Sequence, residues 1–73
     1  MLIKKEIKDY WDKYFRLDDV LAINDLSDHD GVGRAIHLIL KNGEDEYFYK
    51  TVDTNFSEVK EAIETYFGIK LKS

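Results

Sequence analysis

Apolar residues recur along this chain with two different periods, and each change of period marks an element. Ile3, Ile7, Tyr10, Tyr14 and Leu17 are spaced four, three, four and three apart, one stripe of a helix, widened by Trp11 and Phe15. This spacing predicts a helix over residues 2–17. Lys5/Asp9, Lys8/Asp12, Asp9/Lys13 and Asp12/Arg16 lie four apart on its polar side, each worth roughly 0.2–0.5 kcal/mol. Lys4 and Lys5 stand near the positive start of such a helix, and Asp18 and Asp19 follow its negative end. Packing of the aromatic face must therefore hold it.

The period then shortens. Residues 20–26 are rich in branched side chains and read as a strand. Ser27-Asp28-His29-Asp30-Gly31-Val32-Gly33 reads as a loop. Residues 34–41 form a second strand with Ile36, Leu38 and Leu40 on one face, and residues 46–52 a third. Asn42-Gly43 between them signals a tight hairpin. A two-residue loop pairs Leu38 with Tyr47 and Ile36 with Tyr49, which places both tyrosines on the aliphatic face. A three-residue loop would instead set Glu46 and Lys50 beside Leu40 and Ile36. Burying unpartnered charge costs several kcal/mol, so that register is rejected here. The outer face then carries His37, Ile39 and Phe48, with Ile39 and Phe48 as an exposed apolar pair. Asn55 caps a second helix over 56–67, with Glu58 three residues on completing a capping box. Phe56, Val59, Ile63, Tyr66 and Phe67 form its stripe. Gly68 ends it, Ile69 folds back onto its last turn, and within the tail 69–73 residues 70–73 are frayed.

The expected fold class is therefore α+β: one domain over 1–73, two-layered, with a helix, a three-stranded antiparallel sheet and a second helix in the order α-β-β-β-α. The chain is 73 residues long with 14% aromatics, and large rings offset the small core available at this size.

Composition narrows the function classes. There is no cysteine, which removes thiol catalysis, zinc–thiolate sites and disulfides. No apolar run reaches the roughly 18 residues of a membrane span, and Met1-Leu2-Ile3-Lys4-Lys5-Glu6 lacks a leader's apolar stretch, so a cytoplasmic protein is expected. Gly31-Val32-Gly33 lacks a third glycine and precedes a strand, unlike a dinucleotide loop. Asp28-His29-Asp30-Gly31 would put Leu26 and His37 at the end positions of a calcium loop, where carboxylates are needed. Ser27-Asp28-His29 are immediate neighbours, a spacing that does not build a triad. The reading is no enzyme, no cofactor and no metal.

Charge is the stronger signal. The net charge is −4, and most of the acids fall between residues 18 and 64. Such a surface repels polyphosphate and attracts a basic partner. The candidate partner-binding residues are Asp25, Asp28, Asp30, Glu44, Asp45 and Glu46 on two acidic segments, with Ile39 and Phe48 as apolar anchors.

Two resemblances follow from these residues. The element order, His29 after an acidic turn, the Lys41-Asn42-Gly43-Glu44 hairpin and the helix after Thr54 resemble the double-stranded-RNA-binding domain. Where that family carries an Arg/Lys cluster, this chain has Ser57-Glu58-Val59-Lys60-Glu61. The length and the acid-rich segments 25–30 and 44–46 resemble small acidic phage proteins that inhibit CRISPR nucleases. That resemblance implies an inhibitor whose carboxylates stand where nucleic-acid phosphates would lie. The alternatives are a nucleic-acid binder using Lys4, Lys5, Lys8, Lys70 and Lys72, and a homodimer joined through the outer face or an edge strand.

Overall fold

The computed structural model describes residues 2–6 and 13–72. Its elements are β1 (Leu2–Lys5), β2 (Lys13–Arg16), a single 3-10 turn (Leu17–Asp19), β3 (Val20–Leu26), β4 (Ala35–Leu40), β5 (Asp45–Tyr49) and α1 (Phe56–Phe67). β1 and β2 pair as an antiparallel hairpin, and β3-β4-β5 form a three-stranded antiparallel sheet. The fold is a small α+β arrangement with one α-helix among the described residues, not the expected helix–sheet–helix.

The expected N-terminal helix over 2–17 is replaced by that hairpin, with Ile3 opposite Phe15 and Lys5 opposite Lys13. Ile7, Tyr10 and Trp11 of the supposed stripe lie outside the described residues. The remaining members follow a period of two. Ile3 and Phe15 are buried, while Tyr14, a stripe residue of the supposed helix, is 59% exposed. Two lysines facing each other across a hairpin repel. Here each is held by its own carboxylate, Lys5 by Asp53 at 2.7 Å and Lys13 by Glu46. These tertiary ion pairs select the strand over the helix that local spacing favours.

The β4–β5 register is likewise the one rejected from the sequence. Leu38 lies opposite Glu46, Ile36 opposite Phe48 and His37 opposite Tyr47. The loop is Lys41-Asn42-Gly43, closed by the Gly43 N–H to the Leu40 carbonyl at 2.9 Å, with φ of 86° at Gly43. A type I turn followed by a left-handed glycine is the usual three-residue hairpin loop, so glycine is needed at this position. Glu46 does turn inward, to 6% exposure, but its charge is not unpartnered: Lys13 reaches it from the hairpin. Lys50 lies past the end of β5 and is exposed. The lysine that the hairpin supplies is what permits this register.

Phe48 consequently packs inside. It is fully buried with Leu17, Ile36, Leu38 and Ile63, and its ring centroid is 5.3 Å from that of Phe15. β1, β2 and α1 all contribute to this one core, through Ile3, Phe15, Phe56, Val59 and Ile63. They therefore cover the same face of the three-stranded sheet.

Asn55 precedes α1 as expected, but its side chain makes no cap bond. Its amide donates to the Lys4 carbonyl at 2.7 Å and its oxygen accepts the Glu6 N–H at 3.2 Å. The capping-box expectation fails because β1 needs those bonds more: the same side chain fastens the hairpin to the start of the helix. At the other end Gly68 is left-handed (φ 66°), and the Ile69 N–H returns to the Glu64 carbonyl. The tail expected to fray instead folds back. Leu71 is buried, its N–H bonds Glu64 Oε2 at 2.8 Å, and the Lys72 N–H reaches the Asp25 carboxylate.

Candidate interaction surface

Among the described residues, α1, β1 and β2 all lie on the core side and leave the opposite face of the sheet uncovered. Strand alternation puts Ala22, Asn24, His37, Ile39, Asp45, Tyr47 and Tyr49 there. Tyr47 lies between two imidazoles. His37 stacks on it at 4.3 Å between centroids and 3° between planes, and His29 at 4.5 Å and 21°. His37 comes from the neighbouring strand, directly opposite Tyr47. His29 arrives from the 27–33 loop, which is shaped to deliver it. The Gly33 N–H bonds Asp28 Oδ1 at 2.8 Å, the His29 N–H bonds the Gly33 carbonyl at 3.0 Å, and Asp30 takes a left-handed φ of 52°. That conformation is uncommon outside glycine, and aspartate is among the residues that tolerate it.

A carboxylate stands at each end of this row. Asp30 Oδ2 is 3.3 Å from His29 Nε2, and Asp45 Oδ1 is 3.3 Å from His37 Nε2. The Asn24 amide meets His37 Nδ1 at 3.1 Å, while His37 Nε2 is buried without a hydrogen bond. Burial, then Tyr47, Asp30 and Asp53, push the Tyr49 hydroxyl above its ordinary range. The strip is thus aromatic in the middle and anionic at both tips.

The expected site residues divide accordingly. Asp30 and Asp45 join this strip, and Ile39 lies on the same face, half-buried. Asp28 is spent on shaping the loop. Asp25 projects to the core side, opposite Ile36, where the tail bonds it. Glu44 lines an open groove of about 460 Å³ with Asp19 and three cations, Lys13, Arg16 and Lys41. Glu46 and Phe48 are buried and face the core, so neither reaches a partner, and the expected Ile39–Phe48 pair is split between the two faces. The acidic segments 25–30 and 44–46 lie at opposite ends of the sheet. Sequence reasoning missed Tyr47 as a surface residue, and it placed His29 on a loop without assigning it to the site. The signal available for Tyr47 was Gly43, read as the third residue of its loop.

Cations are similarly sorted. Of the basic residues expected at the chain ends, Lys5 is held by Asp53 and Lys4 by Glu6 at 2.8 Å; Lys8 lies outside the described residues. Lys4, then Thr54, lower the Glu6 carboxyl, and Glu46 raises the Lys13 ammonium. The Tyr66 hydroxyl, 2.6 Å away, leads the interactions that bring Asp18 down to about 2. No described helix is long and apolar enough to cross a membrane, and no cluster of three metal-ligating side chains occurs among the described residues. The chain matches no known family model, no curated protein and no solved structure.

Proposed function

We propose that this protein is a small non-catalytic interaction module, acting in the cytoplasm, that sets its outer sheet face against a basic surface of a partner protein. The observation that carries the reading is the uncovered strip with Asp30 and Asp45 at its tips and flat rings between them. Cationic side chains on the partner pair with the tips, and the rings supply stacking area at low entropic cost. A second support is the charge balance. Each internal pair, Lys4–Glu6, Lys5–Asp53 and Lys13–Glu46, removes one charge of each sign, so the whole surplus of −4 remains with the other residues. A partner whose basic surface normally holds nucleic acid would be blocked by this face. That is the mode of the phage-encoded CRISPR-nuclease inhibitors that the chain resembles in size and composition.

An oligo-arginine peptide serves as a minimal basic surface. Titrated at ~50 mM salt, it binds the native chain, and binding weakens as salt rises. D28N/E44Q changes it little. D30N/D45N weakens it roughly fivefold, two exposed pairs at about 0.5 kcal/mol each. Equal effects of the two double variants contradict the assignment to the strip. A gel shift with duplex RNA or DNA under the same conditions supports the nucleic-acid reading instead.

A further inference from the structure

The two edges of the three-stranded sheet are treated differently. Along β4, Leu40 and Arg34 exchange backbone bonds with the β5 side, through the Glu44 carbonyl at 2.8 Å and the Lys50 N–H at 3.1 Å. Even-numbered β4 residues therefore bond β5, and the odd ones, His37 and Ile39, bond β3. On β5 this leaves Asp45, Tyr47 and Tyr49 pointing outward, and the last two are obstructed. Lys5 Nζ donates to the Tyr47 carbonyl, the Tyr49 N–H goes to Asp53 Oδ2 at 2.7 Å, and the Tyr49 carbonyl accepts the Asp53 N–H at 3.0 Å. The Tyr47–Tyr49 half of this edge is obstructed to another strand.

β3 is the other edge, and the longest strand at seven residues. Its Ala22 and Asn24 lie opposite Ile39 and His37 and bond inward, so Ile23 directs its N–H and C=O away from the sheet. No bond from a described residue reaches those two groups. Leu21, at the bulge, is 64% exposed, and the tail that bonds the Asp25 carboxylate lies on the core side.

We propose that β3 is a self-pairing edge: two copies of this chain join antiparallel through β3 about a two-fold axis at Ile23, making one six-stranded sheet. Ile23 then bonds Ile23 of the second copy, and Ala22 faces Asn24 across the axis on the outer face. That register sets no acid opposite another acid. Lys5 and Asp53 obstruct the β5 edge over Tyr47–Tyr49 while the β3 edge is open at Ile23, so association stops at two copies rather than growing into a fibre. The contact is small, which places it among weak interfaces. It also extends the outer face without using Asp30 or Asp45.

Sedimentation velocity from about 10 µM to about 1 mM tests it. The native chain shifts from monomer toward dimer across that range. Added salt strengthens the shift, because two copies of like net charge repel; salt weakens a complex with a basic partner, so the two readings fail separately. Ala22 and Asn24 are exposed, so charge placed there tests the register without entering the core. A22D/N24D sets like charges opposite each other twice and A22K/N24D opposite charges twice. Relative to N24D the dissociation constant should rise about fivefold in the first and fall about fivefold in the second, two cross-strand pairs acting together. Circular dichroism confirms that each variant is folded. A monomer throughout the range overturns the proposal, and so do equal shifts in the two double variants.

Discussion

Replacing Asp53 by Asn removes one charge and almost no volume, yet it should nearly unfold the protein. The Asp53 side chain has no exposure, and Lys5, 15% exposed, sits 2.7 Å away. Breaking a buried pair by removing one partner costs about 3–5 kcal/mol, because the other charge is left uncompensated. Lys5 retains a little contact with water, so about 2–4 kcal/mol is the fair figure here. A core of this size supplies only ~3–5 kcal/mol in all. The bond from the Tyr49 N–H survives, since the Asn oxygen still accepts it, so the loss isolates the charge. Urea unfolding followed by far-ultraviolet circular dichroism measures it. With a slope of about 1 kcal/mol per molar, the midpoint falls by ~2–4 M, which removes most of the native baseline. Replacing Lys5 by Met in the same chain discards the orphaned cation and should restore part of the loss. A midpoint within ~0.5 M of the native protein, or no recovery in the double variant, refutes the claim that the hairpin is fastened by buried charge.

Stability should also follow pH at both ends. Asp18 and Glu6 titrate below their ordinary values when folded, so their contribution is complete above about pH 4 and is lost as pH falls through the folded values. Lys13 titrates above its ordinary value, so its contribution is complete below about pH 10 and is lost as pH rises through the folded value. Urea midpoints between pH 2 and 11 should form a plateau with two falling limbs, and Y66F should move the Asp18 carboxyl titration upward by NMR. An unmoved Asp18 removes the role given to Tyr66. Leu71→Ala should cost about 2–3 kcal/mol although it lies three residues past the helix cap, because Leu71 is buried in the core; a change under ~0.5 kcal/mol would mean a frayed tail.

Helix α1 and strand β3 were legible in the sequence because their signals are local: an apolar stripe with a glycine stop, and a branched run bounded by turn residues. The N-terminal helix and the hairpin register were misread together, and for one reason. Lys13 and Glu46 are 33 residues apart, and neither makes sense alone. With Lys13 placed on a helix, Glu46 had no partner and its burial looked forbidden. With Glu46 placed outside, nothing called for a strand at Lys13. The reading of the surface inherited this error. Ile39 remains on the outer face, but Phe48 and Tyr47 exchange places, because a one-residue slip turns every side chain over. The overall negative charge survives any register. Its division into loop-shaping, core-bonded, cation-flanked and outer-face carboxylates depends on backbone geometry that composition does not carry.

The placement of Tyr47, and with it the whole interaction strip, rests on the β4–β5 pairing. Cross-strand NMR contacts read that pairing directly. His37 and Tyr47 form a non-hydrogen-bonded pair with Cα atoms about 4.5 Å apart, so their Hα protons should show a strong mutual contact. A strong Hα contact between His37 and Phe48 in its place would turn Phe48 outward and Tyr47 inward, and would contradict the account.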